Sequence, residues 1–420
     1  MVAMIELPRS MPINTLAQLK LHTLAIRRHE EGMTAYFDFS SPLVLNRKAV
    51  PKSLKALESK GSSSSLSFSG WVGFFGYEFL AANLGLSLSA PVDLDIPDGW
   101  MARPRSLIHF ETKRTRIESE DPHRLVELKE ILESANHSNN SLSRAVSNSS
   151  SSLDCNLNYE KYQKLFDRAK EAILDGETYQ IKISQRFHAK IQIEPLLAFE
   201  KLNASNPAPE AFLLQTPTFS MVSCSPEVVI DRKGPKIITR PIGGTYERKD
   251  SSLASSEIKN FLDDPKEIAE HNMLVDLERN DLSAVCEPGS VKIEHFREVE
   301  TYSHLHHLVS TISGTLKPRQ NLQVILRALL PGGSITGCPK IRTMEWIDRL
   351  EPCFRGPYTG SFGIIEDSGD LHLNLIIRSM ITTGEDCFIQ AGGGIVVDSV
   401  PSYEFNENRI KAQALLDLLP

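Results

Sequence analysis

Four glutamates occur as two pairs with the same spacing: Glu267 and Glu270 in DDPKEIAEHNMLVDLERND, and Glu404 and Glu407 in DSVPSYEFNENRIKAQALLDLL. Asp264 before Pro265 is a good helix start, an acceptor for free N–H groups followed by a residue whose missing N–H costs nothing. Pro401 opens the second run in the same way. Residues three apart on a helix share a face, so each pair presents two carboxylates together. Either pair alone suits an ordinary solvated helix face. Brought together, the four would offer hard oxygen ligands suited to Mg²⁺ holding an anion and several waters.

A second feature points to an anion. In PGGSITGCPKIRTMEWIDRLEP (331–352) a Gly-rich turn opens into a run with helical apolar spacing at Ile341, Met344, Ile347 and Leu350. Such a turn lets backbone N–H groups and a helix N-terminus face a negative group, and Lys340 adds a positive charge.

The elements that must position these residues follow from the pattern of the chain. NYEKYQKLFDRAKEAILDG reads as an amphipathic helix with Leu165, Phe166, Ala169 and Ile173 on one face, stopped by Gly176. YQIKISQRF, SMVSCSPEVVI, YTGSFGIIED, LHLNLIIRSMI and FIQAGGGIVVD read as strands. Helical patterns interrupt them at 255–262, 265–285, 322–329, 338–350 and 401–418. GWVGFFGYEFLA (70–81) suits a sheet with close backbone approach and core aromatics. With no fixed repeat and no regular βα alternation, the order favours α+β with large, mostly antiparallel sheets. A Ser/Asn-rich stretch at 134–155 reads as a linker or surface loop. It divides an N-terminal lobe (1–133) from a denser part (156–420).

Composition excludes several function classes. The 420 residues are 41% hydrophobic and 24% charged, ordinary for a globular protein. A net charge of −7 argues against nucleic acid as a partner. No run of about 18 apolar residues offers a membrane span, and Glu6 and Pro8 come too early for a secretory signal. The six cysteines form no CxxC, so a reduced, cytoplasmic protein is expected.

The PGGSITG block closely resembles that of chorismate-utilising enzymes, in the form carried by the large component of aminodeoxychorismate synthase. SQRF (184–187), SPE (225–227), PIGGT (241–245), KEIAEH (266–271), VDLERND (275–281), HHLVS (306–310), IRS (377–379) and AGGGIV (391–396) fall in the same family order. GWVGFFGYE resembles the family's amino-terminal region. The resemblance therefore implies the chorismate-binding fold, with antiparallel sheets, outer helices, two interleaved lobes and a site in the cleft between sheets. Residues 156–420 would be its catalytic domain.

It also implies roles. Glu267, Glu270, Glu404 and Glu407 would surround Mg²⁺, which engages the ring carboxylate of chorismate, and Gly392, Gly393 and Gly394 would bring N–H groups to that carboxylate. Arg378 and Tyr358 would hold the enolpyruvyl carboxylate. Glu227 would protonate the departing hydroxyl, and His307 would be a polar or acid–base element beside the ring. Thr245, Ser334 and Gln180 would line the pocket.

Three reactions share this scaffold: addition of water, of ammonia at C2, and of ammonia at C4. Gln180 stands where water-adding members carry a Lys base, which disfavours the first. PGGSITG, HHLVST and YTGSFG favour C4 amination, giving 4-amino-4-deoxychorismate for 4-aminobenzoate and folate synthesis. The alternatives are an anthranilate synthase component I and a degenerate, non-catalytic subunit. Gly243 departs from the PIKGT form, whose Lys is a covalent nucleophile, and puts that route in doubt. The sequence holds no G-x-C-x-G elbow, so ammonia is expected from a separate glutamine amidotransferase subunit in a heterodimer.

Overall fold

The computed structural model describes residues 4–61, 65–135, 152–247, 258, 262–301 and 305–419. The predicted helix at 255–262 and most of the 134–155 stretch fall outside them. Two large sheets dominate, and their strand pairings are antiparallel throughout the described residues.

The larger, eleven-stranded sheet runs from Met4–Leu7 at one edge, through the N-terminal strands Gly32–Phe37 and Leu24–His29, to Glu210–Gln215 and Phe219–Ser225. It continues through Ser379–Thr383, Asp386–Ile395 and Ile181–Lys190. The ten-stranded sheet pairs Gly70–Phe75 with Ser361–Glu366, and reaches Val228–Lys233, Leu305–Thr315 and Ile242–Glu247. Both sheets therefore combine strands from both halves of the chain, which is the interleaving expected of the family.

Aromatic residues join the sheets. Phe212 of the larger sheet stacks on Phe362 of the other at 4.0 Å, and Phe219 meets Phe74 edge-on at 5.8 Å. Each such pair contributes about 0.5–1.5 kcal/mol beyond its buried area. Helices cover the outer faces. Tyr159–Leu174, capped by the Asn158 side chain, buries Tyr162, Phe166, Ala169 and Ala172. Pro265–Val285 begins as its sequence suggests: the Asp264 carboxylate accepts the Glu267 N–H and its carbonyl accepts that of Ile268. Its Val275, Leu282 and Val285 enter the core outside the smaller sheet.

In Pro401–Leu416 a single buried stripe changes character along its length. Glu404 and Asn408 come first, then Ala412, Leu415 and Leu416. The apolar end packs into the core of the larger sheet, and the polar end faces a cavity. No helix among the described residues is long and apolar enough to cross a membrane.

Candidate active site

Alternation predicts LHLNLIIRSMI as one strand, but the structure divides it. Leu371–Asn374 belongs to the smaller sheet and Ser379–Thr383 to the larger. The chain crosses between sheets at Leu375–Arg378, and Arg378 takes a left-handed φ of 48°. SMVSCSPEVVI crosses the same way, with Pro226 and Glu227 between Phe219–Ser225 and Val228–Lys233. The two crossings bind each other: the Leu375 N–H donates to the Glu227 carbonyl at 3.0 Å, and the Cys224 N–H to the Arg378 carbonyl at 3.1 Å. Local periodicity reads exposure and cannot register a change of sheet.

At these crossings lies a cleft of about 680 Å³, lined by Glu227, His307, Ser334, Tyr358, Arg378 and Gly392, with Lys182 and Lys411 on the wall. Glu227 is buried, and its carboxylate accepts the Ser334 hydroxyl at 2.5 Å. Burial pushes its pKa up to about 7, against the pull of Ser334, Lys182 and Arg378. Arg378 Nη2 lies 3.1 Å from His307 Nε2. A guanidinium only donates, so His307 accepts at Nε2 and is a neutral imidazole in this contact. Burial also raises the Tyr358 phenol above its usual range.

A second cavity of about 550 Å³ shares Lys182, Ile242 and Lys411 with the first. Glu267, Glu270, Glu404 and Glu407 all line it, as does Gly243. A Cβ built on Gly393 would stand 3.0 Å from Glu404 Oε2 and 3.1 Å from Glu407 Oε2, so these carboxylates lie directly against that glycine. Ser399 donates to Glu404 at 2.8 Å, Lys411 lies 3.2 Å from Glu407, and Gln180 Nε2 donates to Glu270 at 3.1 Å. Gln180 Oε1 and Asn408 Oδ1 are buried without a hydrogen-bond partner. Among the described residues no three acidic, His or Cys side chains already converge as a metal cluster. Four carboxylates around one cavity, beside orphaned amide oxygens, nevertheless fit a hard cation that keeps part of its water shell.

Gly393 and Gly392 pair with Ile183 and Ser184 across the strands. Thr245 pairs through its backbone with His307; its side chain lies outside the described part. Lys340 does not offer its charge to a ligand in the cleft, because it bonds Asp281 at 2.7 Å and the Ala328 carbonyl at 3.0 Å. PGGSITG forms a short helical turn, Gly333–Thr336, before the Lys340–Leu350 helix.

Three further residues shape the site. Arg355 is buried, pairs with Glu351 at 2.8 Å, and donates to the Ile335 and Lys182 carbonyls, tying the Gly-rich turn to the strand Ile181–Lys190. His271, bonded to Ser310 at 2.7 Å, fills the space beside Gly243. Burial, then Arg297, lowers its pKa to about 4. Lys411 completes the wall between the cavities. Lys411 carried a sequence signal, lying one turn beyond Glu407 on the same helix, and His271 closes the string KEIAEH, whereas Arg355 lies outside every string.

Residues 26–417 match the model of the chorismate binding enzyme family. Aminodeoxychorismate synthase component 1 of Bacillus subtilis is 41% identical over 259 residues, 60% of this chain and 54% of that protein. An anthranilate synthase component 1 of Haloarcula marismortui is 43% identical over 259 residues, 61% and 53% of the two chains. These alignments span about half the length of the relatives. The solved anthranilate synthase component I of Streptococcus pneumoniae superposes with a TM-score of 0.78 at 25% identity, covering 98% of this chain and 91% of that one. With the match running through both sheets and both cavities, the chain belongs to the chorismate-binding enzyme family.

Proposed function

We propose that this protein aminates chorismate at C4, as an aminodeoxychorismate synthase component I does, forming 4-amino-4-deoxychorismate and water. The observation that carries this reading is the set of strings PGGSITG, HHLVST and YTGSFG, and Glu227 supplies the acid that loss of the C4 hydroxyl needs whether ammonia attacks at C4 or C2. A carboxyl held near neutrality in its acidity, beside Arg378 and Ser334, is suited to protonate the C4 hydroxyl as it departs. Ammonia forms the new C–N bond and gives up a proton as it does so.

Arg378 and Tyr358 hold one carboxylate of the substrate, and Gly392, Gly393 and Gly394 offer backbone N–H groups to the other. Glu267, Glu270, Glu404 and Glu407 would hold Mg²⁺, whose charge offsets that of the ring carboxylate. Gln180 cannot take a proton usefully, and its amide is engaged by Glu270, which disfavours water as the nucleophile. Ammonia needs no such base. Because free ammonia is scarce at neutral pH, a docked glutamine amidotransferase subunit would supply it.

The second reading, an anthranilate synthase component I, draws support from Gly243. A Cβ there would lie 2.5 Å from His271 Nδ1, so the lysine route known in C4-aminating relatives has no space at this position. C4 amination here would proceed by direct attack.

The test is an assay of the purified chain with chorismate, Mg²⁺ and ammonium at alkaline pH. We expect a product of aminodeoxychorismate mass that an added lyase converts to 4-aminobenzoate. Fluorescent anthranilate with pyruvate would move the chain to the second reading. No turnover, with or without an amidotransferase subunit, would mean a non-catalytic subunit.

A further inference from the structure

Lys182 belongs to neither carboxylate pair nor to any of the family motifs, yet it lines both cavities. The strand Ile181–Lys190 explains its direction. Ile181 and Ile183 enter the core beneath the Tyr159–Leu174 helix, so the alternate residues face the other way. On that side Gln180 reaches Glu270, and Ser184 accepts from Gln390 of the cleft wall. Lys182 lies between them, opposite Gly394 in the register.

The other cations around the site are committed. Lys411 is held by Glu407 at 3.2 Å and the Gly392 carbonyl at 3.4 Å, Lys340 by Asp281, and Arg355 by Glu351. Arg378 lines the same cleft, 3.1 Å from His307 Nε2. The Lys182 ammonium makes no hydrogen bond or ion pair among the described residues; only its carbonyl is engaged, by Arg355 at 3.0 Å. Glu270, Glu407 and Glu227 act on the ammonium only through space, and burial, the largest influence, disfavours its charge, a penalty that an arriving anion offsets.

Chorismate carries two carboxylates. If Arg378 receives one, the other must approach the cavity lined by four glutamates, which repel it unless a cation intervenes. We propose that Lys182 is a substrate-binding, specificity-determining residue whose ammonium receives the ring carboxylate of chorismate where the two cavities meet. This rests on the chorismate reading above and adds to it a contact that no family motif contains. Its effect is to select dianions over monoanions of the same shape.

Calorimetric titration of the Mg²⁺-loaded protein, without ammonia, tests it. The probes are chorismate and its analogue with the ring carboxylate converted to a primary amide. Lys182→Met should weaken chorismate binding about ten- to a hundredfold, as expected for a lost charge-assisted hydrogen bond. Lys182→Arg should restore most of the affinity, and the amide analogue should bind wild type and Lys182→Met equally. Lys182→Gln carries the same comparison if the methionine variant does not fold.

Unchanged chorismate binding in the variants would overturn the proposal. So would equal losses for chorismate and the amide, which indicate packing, or tighter Mg²⁺ binding as the sole effect, which would make Lys182 a counter-ion of the glutamates. If wild type bound no chorismate at all, the substrate reading itself would fail and this proposal with it.

Discussion

Glu227 and Ser334 come from distant parts of the chain and meet through one 2.5 Å hydrogen bond. Burial raises the carboxyl to about 7, and the hydroxyl bond opposes that rise by favouring the charged form. Ser334→Ala therefore lets the pKa climb further. An acid must hold its proton to act, so the alkaline limb of the rate, expressed per free ammonia, should move to higher pH in that variant. Glu227→Gln should lose about 10²–10⁴-fold in turnover while still binding chorismate. A limb moving to lower pH in Ser334→Ala, or an active Glu227→Gln, would remove Glu227 from the role of acid. At this scale the four glutamates, Glu227 and Arg378 were legible because each sits in a distinctive string. Arg355 was not, and the role of His271 was hidden although it closes KEIAEH, because their significance lies in partners far along the chain, such as the Lys182 carbonyl and Ser310.

The elements explain why Gly243 is glycine. Its strand, Ile242–Glu247, runs so close to the helix Pro265–Val285 that a Cβ would stand 2.5 Å from His271 Nδ1 and 3.0 Å from His271 Cα. Gly243→Ala should cost roughly 1–3 kcal/mol of stability by denaturant melting, the usual penalty of overpacking. Gly243→Lys should cost more and show no covalent adduct by intact mass after chorismate is added. A stable lysine variant that captured the substrate would contradict this packing. The helices were readable from capping residues and apolar spacing. The split of LHLNLIIRSMI was not, and Lys340 looked available from sequence although Asp281, 59 residues earlier, holds it.

For the whole molecule, the decisive feature is that both sheets draw strands from both halves. Leu24–His29 pairs with Glu210–Gln215, and Gly70–Phe75 with Ser361–Glu366. Irregular element order was enough to indicate α+β with antiparallel sheets. Strand order was beyond it, since pairings between distant segments leave no local pattern. Residues 156–420 expressed alone would expose open edges in both sheets and the aromatic seam between them, and should aggregate or melt without cooperativity. Co-expression with residues 1–135 should restore a cooperative transition. A fragment that melted cooperatively and bound chorismate by itself would show that the halves are independent.

The most direct test of C4 amination is the position of the nitrogen in the product. Turnover of chorismate with ¹⁵N-ammonium, followed by NMR of the intact product, should show ¹⁵N bonded to C4, with the enolpyruvyl group retained. Label on C2 of an aromatic ring, with pyruvate released, would contradict the account.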